Sequence, residues 1–304
     1  MRRVDCPMTH AHRTYGVDLR ALPAAEAHVP LTDLTLRRGF GAFDFLRVER
    51  GVPTFADDHL ARLERSADLL GLSPRPDPGA IRAHVRDVID ANVAAGAVDD
   101  VFGLQLYLTG GDPDDGFTPA TPRLLVLVVD LPPAPAAAYD DGVALLTHRF
   151  ERDLPEAKTT NYFTAVRHAR TLRERGAADL LYHDGTRVLE ATRCNVFVSL
   201  DGERLLTPGE GVLPGVTRTH VLAALDGTVP AAHGEVPLAA LDGAHEVFLA
   251  STTKGVMPVT RIDDRPVGSG TPGPLTRRAM ERFDAYRAAW IADHADAWRA
   301  APTS

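Results

Sequence analysis

The chain has 304 residues, of which 44% are hydrophobic and 24% charged, and its formal net charge is −8. A chain of this size can form a substantial core and usually divides into two domains. The acidic balance argues against a nucleic-acid-binding protein, and no apolar run is long enough to predict a membrane span. The N-terminus lacks the apolar region of a signal peptide. Two cysteines give neither a disulfide framework nor a metal-ligand spacing, so we expect a cytoplasmic protein without a metal site.

Lysine is scarce in this sequence. Only two of the 33 basic residues are lysines, Lys158 and Lys254, and the others are arginines. Arginine stays protonated and is a poor amine nucleophile, so a lysine retained in such a composition is a candidate for amine chemistry. Composition alone leaves open that both lysines survive by chance.

The N-terminal half predicts strands followed by helices. Residues 16–56 alternate short apolar runs with turn signals, and FDFLRVERGVPTF predicts two strands around an Arg50–Gly51 turn. From Asp57 onward, the apolar residues follow the spacing of a helix. The later pattern predicts two helices and then two buried strands, at 57–71, 78–95, 102–111 and 123–131.

The clearest break in the chain is the segment DLPPAPAAA at residues 130–138. Three prolines in nine residues cannot lie inside a sheet, and the composition is typical of a linker. We therefore predict a small N-terminal α/β domain at 1–130, a linker at 131–138 and a large C-terminal domain at 139–304.

The C-terminal half predicts a second mixture of strands and helices. A strand is followed by a helix from about Tyr162 to Arg175, and two hairpins turn at Asp184–Gly185 and Asp201–Gly202. A helix after LPGVTR, the strand EVFLAST and a final helix at 274–298 complete the pattern. The prediction for the whole chain is a mixed α/β (α+β) fold in two domains.

Several residues have positions that suit catalysis or anion binding. Lys158 follows a strand and a proline-containing loop, near an element end where site residues often lie. Glu190 lies on a predicted strand, where an inward carboxylate needs a partner, although an edge strand facing water fits equally. The turns LPGVTR and STTKG offer backbone donors for phosphate. Arg62 could add a bidentate positive charge, although an ordinary surface arginine has the same pattern.

Taken in chain order, these features resemble a known family. The segments that carry the resemblance are HLARLERSA, KTTNY, EATRCNVFV, LLTPGEGVLPGVTR and FLASTTKGVMPV. They resemble the class IV aminotransferases, the fold type IV group of enzymes that use pyridoxal 5'-phosphate (PLP), from about Gly16 to Ala288. The group contains D-amino-acid and branched-chain aminotransferases, (R)-selective amine transaminases and aminodeoxychorismate lyases.

The resemblance implies roles for the site residues. Lys158 is expected to bind PLP as a Schiff base and to move the proton between the substrate Cα and the cofactor C4'. Glu190 is expected to keep the pyridine nitrogen protonated, and Asn195 to support the glutamate strand. The phosphate ligands implied by the resemblance are Arg62, Val216, Thr217 and Thr252.

The substrate carboxylate has no familiar partner in this sequence. The segment GLQLYLTGG lacks the Tyr-x-Arg motif of branched-chain enzymes, and Gly110 stands where D-amino-acid enzymes have an arginine. Arg38, expected on an extended strand with Arg37 pointing to the opposite side, is the remaining candidate. A surface position for Arg38 stays open.

Other residues are expected to line the substrate site. Phe43 and Phe45 alternate with Asp44 and predict an aromatic pocket wall, and Ser251 and Thr253 are expected to meet the substrate carboxylate. Tyr162 comes four residues after the lysine, one fewer than in branched-chain enzymes, which predicts a different role. Lys254 is interpreted as a loop charge.

The leading hypothesis is a PLP-dependent transaminase that moves an amino group from a D-amino acid, and also from (R)-primary amines, to a 2-oxo acid. The alternatives are a branched-chain L-amino-acid aminotransferase and an aminodeoxychorismate lyase, which eliminates pyruvate. Lys158 and Glu190 argue against a catalytically dead PLP-binding scaffold. The resemblance also implies a homodimer, with no nucleic-acid or membrane partner.

Overall fold

The computed structural model describes residues 12–300, which form two compact units. The first unit runs to Pro132 and also includes residues 157–161 and the chain from Asp293 onward. The second unit comprises 133–156 and 162–292. This division differs from the predicted one, which assigned every residue after 138 to the C-terminal domain. Backbone hydrogen bonds, described below, tie residues 157–161 to the first unit.

Six strands and three helices form the first unit. The strands are β1 (Thr14–Val17), β2 (Arg20–Pro23), β3 (Gly41–Glu49), β4 (Val52–Pro53), β5 (Val101–Thr109) and β6 (Leu124–Asp130), and the helices are α1 (Leu34–Arg38), α2 (Ala56–Leu69) and α3 (Pro78–Ala94). The strands form one antiparallel sheet in the order β2-β1-β6-β5-β3-β4. The strands and helices predicted for 43–55, 57–71, 78–95, 102–111 and 123–131 are thus confirmed.

One face of this sheet is covered by α2 and α3. Leu63 of α2 and Val85 of α3 belong to the same buried core as Leu46 of β3 and Leu104 of β5. The alternation of a strand places Phe43, Phe45 and the other odd-numbered residues of β3 on the opposite, half-buried face. The sheet therefore offers one packed face and one accessible face.

The segment that contains Arg37 and Arg38 is helical, and the predicted extended strand is wrong there. Helix α1 begins after Asp33, whose carboxylate accepts a hydrogen bond from the Thr35 N–H at 2.8 Å. It ends at Gly39, which has a φ of 68°. This left-handed conformation favours glycine and ends helices. The Asp33 cap and Gly39 thus make this segment helical despite the strand-like apolar pattern around it.

The second unit is built on a mixed nine-stranded sheet. Its strands are β7 (Val143–Arg149), β8 (Asp179–His183), β9 (Val188–Ala191), β10 (Asn195–Ser199), β11 (Leu205–Thr207), β12 (Ala231–His233), β13 (Glu246–Ser251), β14 (Gly255–Ile262) and β15 (Arg265–Pro266). The order is β12-β11-β10-β13-β14-β7-β8-β9, and β15 pairs with β14. Three strand pairs are parallel, namely β7 with β8, β7 with β14 and β11 with β12. The mixed α/β prediction is confirmed.

Four helices accompany this second sheet in the chain. They are α4 (Ala136–Asp140), α5 (Phe163–Glu174), α6 (Val216–Leu225) and α7 (Pro274–Ala300). Helix α4 begins inside the predicted linker 131–138, directly after its last proline, because proline restricts only the residue before it and its own position. None of the helices in the described part of the chain combines the length and apolar character needed to cross a membrane.

Gly110, which directly follows β5, has no room for a side chain. A Cβ atom there would lie 2.7 Å from the Leu34 Cβ and 2.8 Å from the backbone oxygen of Phe40. The close approach of α1 to the end of β5 therefore requires glycine at this position.

We predict that Gly110→Ala lowers the free energy of unfolding by about 1–3 kcal/mol, because overpacking forces backbone atoms apart. Thermal or denaturant unfolding measures the loss. Gly243→Ala is the matched control, since a Cβ at Gly243 meets nothing within 4 Å. Equal stability of the two variants would show that packing does not explain Gly110.

Candidate active site

Lys158 lies in a short segment, residues 157–161, that extends the first sheet beside β3. Ala42 and Thr159 form an antiparallel bridge, and the Phe43 N–H donates to the Lys158 carbonyl at 2.9 Å. Opposed residues of an antiparallel pair project to the same face, so Lys158 shares the face of Phe43. The Lys158 Nζ lies 4.6 Å from the centroid of the Phe43 ring, and the Lys158 side chain is largely buried.

The backbone of Lys158 is also held from helix α2. Its N–H donates to the Ser66 Oγ at 3.0 Å, and that hydroxyl donates to the Arg62 carbonyl at 2.8 Å. Ser66 is fully buried. Hydrogen bonds from β3 and from α2 therefore fix the main chain that carries the amine.

Arg62 is buried and paired, and so it is not an ordinary surface arginine. Its Nε donates to the Asp44 Oδ2 and its Nη2 to the Asp44 Oδ1, both at 2.8 Å. The His59 Nδ1 lies 2.7 Å from the same Oδ1. Sequence reasoning missed Asp44 and His59, although a charged residue at a core-facing position of β3 was a usable signal.

Glu190 lies on β9, the last strand in the sheet order, but it is buried and has several polar partners, so it does not face water. Its Oε1 accepts a hydrogen bond from the Arg152 Nη1 at 3.1 Å, and its Oε2 accepts one from the Leu213 N–H at 3.1 Å. The Asn195 Nδ2 lies 3.5 Å from Oε2 and donates to the Leu213 carbonyl at 3.0 Å. Arg152 was missed, since nothing in the sequence separates it from other loop arginines.

The start of α6 lies next to Asn195. Gly215 precedes the helix, and no side chain caps the first turn, which begins with Val216 and Thr217. A Cβ at Gly215 would lie only 1.7 Å from the Asn195 Oδ1, so glycine is required for this approach. The Thr217 Oγ1 lies 3.4 Å from the Thr252 Oγ1. The structure thus brings together Asn195, the two residues that start α6 and the STT turn.

This arrangement in the second unit fits the cofactor that the resemblance implies. An uncapped helix start with adjacent hydroxyl groups suits a phosphate, because backbone N–H groups and the helix dipole favour an anion. Glu190, held by Arg152 and by the N–H of Leu213, suits a ring nitrogen that carries a proton. The required glycine at 215 lets Asn195 pack against the start of this helix. The residues present therefore fit PLP.

The residues expected to bind substrate fall into different environments. Phe43 stacks on Tyr107 with ring centroids 5.6 Å apart, and Phe45 lies across Gly103 on the neighbouring strand. Arg38 is exposed at the end of α1, where its guanidinium lies 5.6 Å from the centroid of Phe117. Its placement on an extended strand was wrong because the Asp33 cap and Gly39 make this segment helical.

The remaining predicted residues lie at two places in the chain. Ser251, Thr253 and Lys254 lie in one turn, and Tyr162 follows Lys158 by four residues. The Ser251 Oγ is 3.5 Å from the Thr253 Oγ1, and the carbonyl of Lys254 accepts a hydrogen bond from the Tyr139 hydroxyl. Tyr162 directly precedes α5. Burial raises the pKa of Tyr162 to about 12, with Arg152 opposing and Glu190 adding to the shift, so its phenol is protonated at neutral pH.

Comparison with known proteins gives the family. A family model for class IV amino-transferases matches residues 41–262. The chain is 28% identical to a D-alanine aminotransferase of Bacillus licheniformis over 271 residues, which are 86% of this chain and 92% of the relative. It is 27% identical to a putative branched-chain-amino-acid aminotransferase of Methanocaldococcus jannaschii over 277 residues, 87% and 93% of the two chains.

A solved structure has the same architecture. The 4-amino-4-deoxychorismate lyase from Pseudomonas aeruginosa superposes with a TM-score of 0.75 at 28% identity, covering 89% of this chain and 98% of the lyase. The resemblance inferred from the motifs is confirmed by the family match. The chain belongs to the class IV aminotransferases, with their fold type IV architecture, and its cofactor is pyridoxal 5'-phosphate.

Proposed function

We propose that this aminotransferase takes its amino group from D-amino acids, and also from (R)-primary amines, and passes it to a 2-oxo acid. The observation that carries the proposal is β5, whose sequence lacks both the branched-chain Tyr-x-Arg motif and an arginine at position 110. The similarity to a D-alanine aminotransferase supports a D-amino-acid donor. Gly110 has no space for the arginine, so the carboxylate of the donor is bound by other groups.

Different residues of the chain are assigned to cofactor binding and to proton transfer. Bound PLP supplies a ring that draws electrons away from the carbon of the substrate that carries the amino group. Lys158 would hold the cofactor through its amine and, after the substrate amine takes its place, would move the proton between the substrate Cα and the cofactor C4'. Glu190 would accept a hydrogen bond from the protonated ring nitrogen, with Arg152 and Asn195 keeping its carboxylate in place. By the resemblance, Arg62, Val216, Thr217 and Thr252 would bind the phosphate.

We assign substrate binding to residues of the first sheet, of the turn 251–253 and of helix α1. Phe43 and Phe45 form an aromatic wall on the face of the first sheet that carries Lys158, and Phe43 is within 4.6 Å of its amine. The turn from Ser251 to Thr253 offers hydroxyl and amide groups to the substrate carboxylate. Arg38 contributes to carboxylate binding from the end of α1.

The assembly and cellular location belong to the same proposal. The family resemblance supports a homodimer in which each site is closed by loops of the partner subunit. The buried Cys194 is a free thiol, and a chain with two cysteines and no disulfide framework suits a reducing cytoplasm.

The choice of amino donor tests the proposal directly. We expect D-alanine, D-glutamate and (R)-1-phenylethylamine each to convert the PLP form of the protein to its pyridoxamine form faster than L-leucine does. The loss of visible absorbance after mixing, without any acceptor, measures each rate. Faster conversion by L-leucine than by every D-amino acid would assign a branched-chain enzyme. Release of pyruvate from 4-amino-4-deoxychorismate without a 2-oxo acid would assign a lyase.

The role of Glu190 gives a second prediction. Glu190→Gln keeps the shape of the side chain and removes its charge, so the ring nitrogen loses the carboxylate that keeps it protonated. We expect kcat to fall on the order of 100-fold, the lower end of what a positioned acid or base contributes. Steady-state kinetics with the best donor measure the change.

Glu246→Gln is the matched control for that substitution. Glu246 is equally buried in the second unit, but its oxygens accept from the N–H groups of Leu275 and Thr276 at the start of α7. The control should lower thermal stability without a comparable loss of kcat. Equal losses of kcat in both variants would mean that Glu190 acts only through the fold.

A further inference from the structure

The buried carboxylate of Asp44 has no part in the proposed chemistry. Asp44 lies in the middle of β3, is fully buried and faces helix α2, whereas its neighbours Phe43 and Phe45 face the opposite side of the sheet. A charged group without solvent is strongly unfavourable unless it is paired and hydrogen-bonded. The partners of Asp44 therefore indicate why a carboxylate is kept at this position.

The principal partner of Asp44 is the guanidinium of Arg62. The two hydrogen bonds from Nε and Nη2, each of 2.8 Å, form a bidentate pair along one edge of the guanidinium. Such a pair fixes the plane of the group as well as its position. The backbone N–H of Phe45 also donates a hydrogen bond to the Asp44 Oδ1 at 2.7 Å.

His59 adds a hydrogen bond to this pair without adding a charge. Burial lowers the pKa of His59, and the positive charges of Arg62 and Lys158 lower it further, while Asp44 opposes them. Burial alone would raise the pKa of Asp44, but Arg62 and His59 outweigh it and hold that pKa well below its usual range. The neutral imidazole donates from Nδ1, so one negative charge faces one positive charge.

The spacing of α2 links this pair to the amine. His59, Arg62 and Ser66 lie three and four residues apart, on one face of the helix. Ser66 accepts a hydrogen bond from the N–H of Lys158. The same helix face therefore holds Arg62 by its guanidinium and Lys158 by its backbone.

We infer that Asp44 is a positioning residue for the phosphate of PLP, acting through the bidentate pair that orients Arg62. The inference rests on the proposed function, in which Arg62 binds that phosphate. A carboxylate close to a phosphate repels it, so Asp44 is useful only if orienting Arg62 outweighs this repulsion. A flexible arginine would lose rotamer entropy when the anion binds. An arginine already held by Asp44 has lost that entropy before binding, so it binds the anion at a lower cost.

Comparison of PLP with pyridoxal, which lacks the phosphate, separates this role from a structural one. We expect Asp44→Asn to weaken equilibrium binding of PLP to the cofactor-free full chain by about 10-fold or more, by analogy with the loss found when groups that orient metal ligands are removed. Pyridoxal affinity should change much less, because it does not need Arg62. Absorbance titrations give both dissociation constants, and Lys158 and Lys254 are the only lysine side chains that can react with the aldehyde.

Glu49→Gln is the matched control, since it breaks a different ion pair of β3, between Arg47 and Glu49 at 2.6 Å. It should leave the ratio of PLP to pyridoxal affinity unchanged. If Asp44→Asn does not fold, Asp44→Glu keeps the negative charge and leaves Arg62 in place but displaces the bidentate pair, and it should reduce the ratio in the same way.

The outcomes are distinct. An unchanged ratio in Asp44→Asn, or in Asp44→Glu where the first variant does not fold, overturns the positioning role. Parallel losses of PLP and pyridoxal affinity also overturn it, because they show a structural effect. A wild-type chain that binds PLP no better than pyridoxal contradicts the phosphate role of Arg62 in the proposed function.

Discussion

The antiparallel register between residues 157–161 and β3 determines where the reactive amine lies. The N–H of Phe43 donates to the carbonyl of Lys158, and the N–H of Thr160 donates to the carbonyl of Gly41, both at 2.9 Å. Because side chains alternate along a strand, a shift of one residue would turn Lys158 from the face of Phe43 to the face covered by α2. The contact with Ser66 and the core beneath β3 hold this register, and the chemistry of the amine depends on it.

Three buried carboxylates, Asp44, Glu190 and Glu246, each have specific partners that offset a desolvation cost of several kcal/mol per ion. Asp44 is matched by Arg62 and His59, and Glu190 by Arg152 and backbone donors. Glu246 instead accepts hydrogen bonds at the start of α7, where a carboxylate caps the helix and is favoured by its dipole. Burial alone therefore does not mark a functional carboxylate, and the nature of the partners separates Glu246 from the other two.

Much of the fold could be predicted because its signals are local. The helix at 78–95 is marked by an Asp77 cap and a proline at its first position, and β3 by the alternation of its side chains. Lys158 and Glu190 were found from rarity and position. The helical state of Arg38 was missed because five residues give no clear period. Asp44, His59 and Arg152 were missed as site neighbours because their partners lie up to 38 residues away in the chain.

Borohydride reduction followed by peptide mapping tests most directly the central claim that Lys158 holds the cofactor. Since Lys158 and Lys254 are the only lysines, a reduced cofactor label can be assigned to one of them without ambiguity. The account predicts one stable label on the peptide that contains Lys158, kept in Lys254→Arg and lost in Lys158→Arg. A label on Lys254, or no label on a chain that binds PLP, would contradict it.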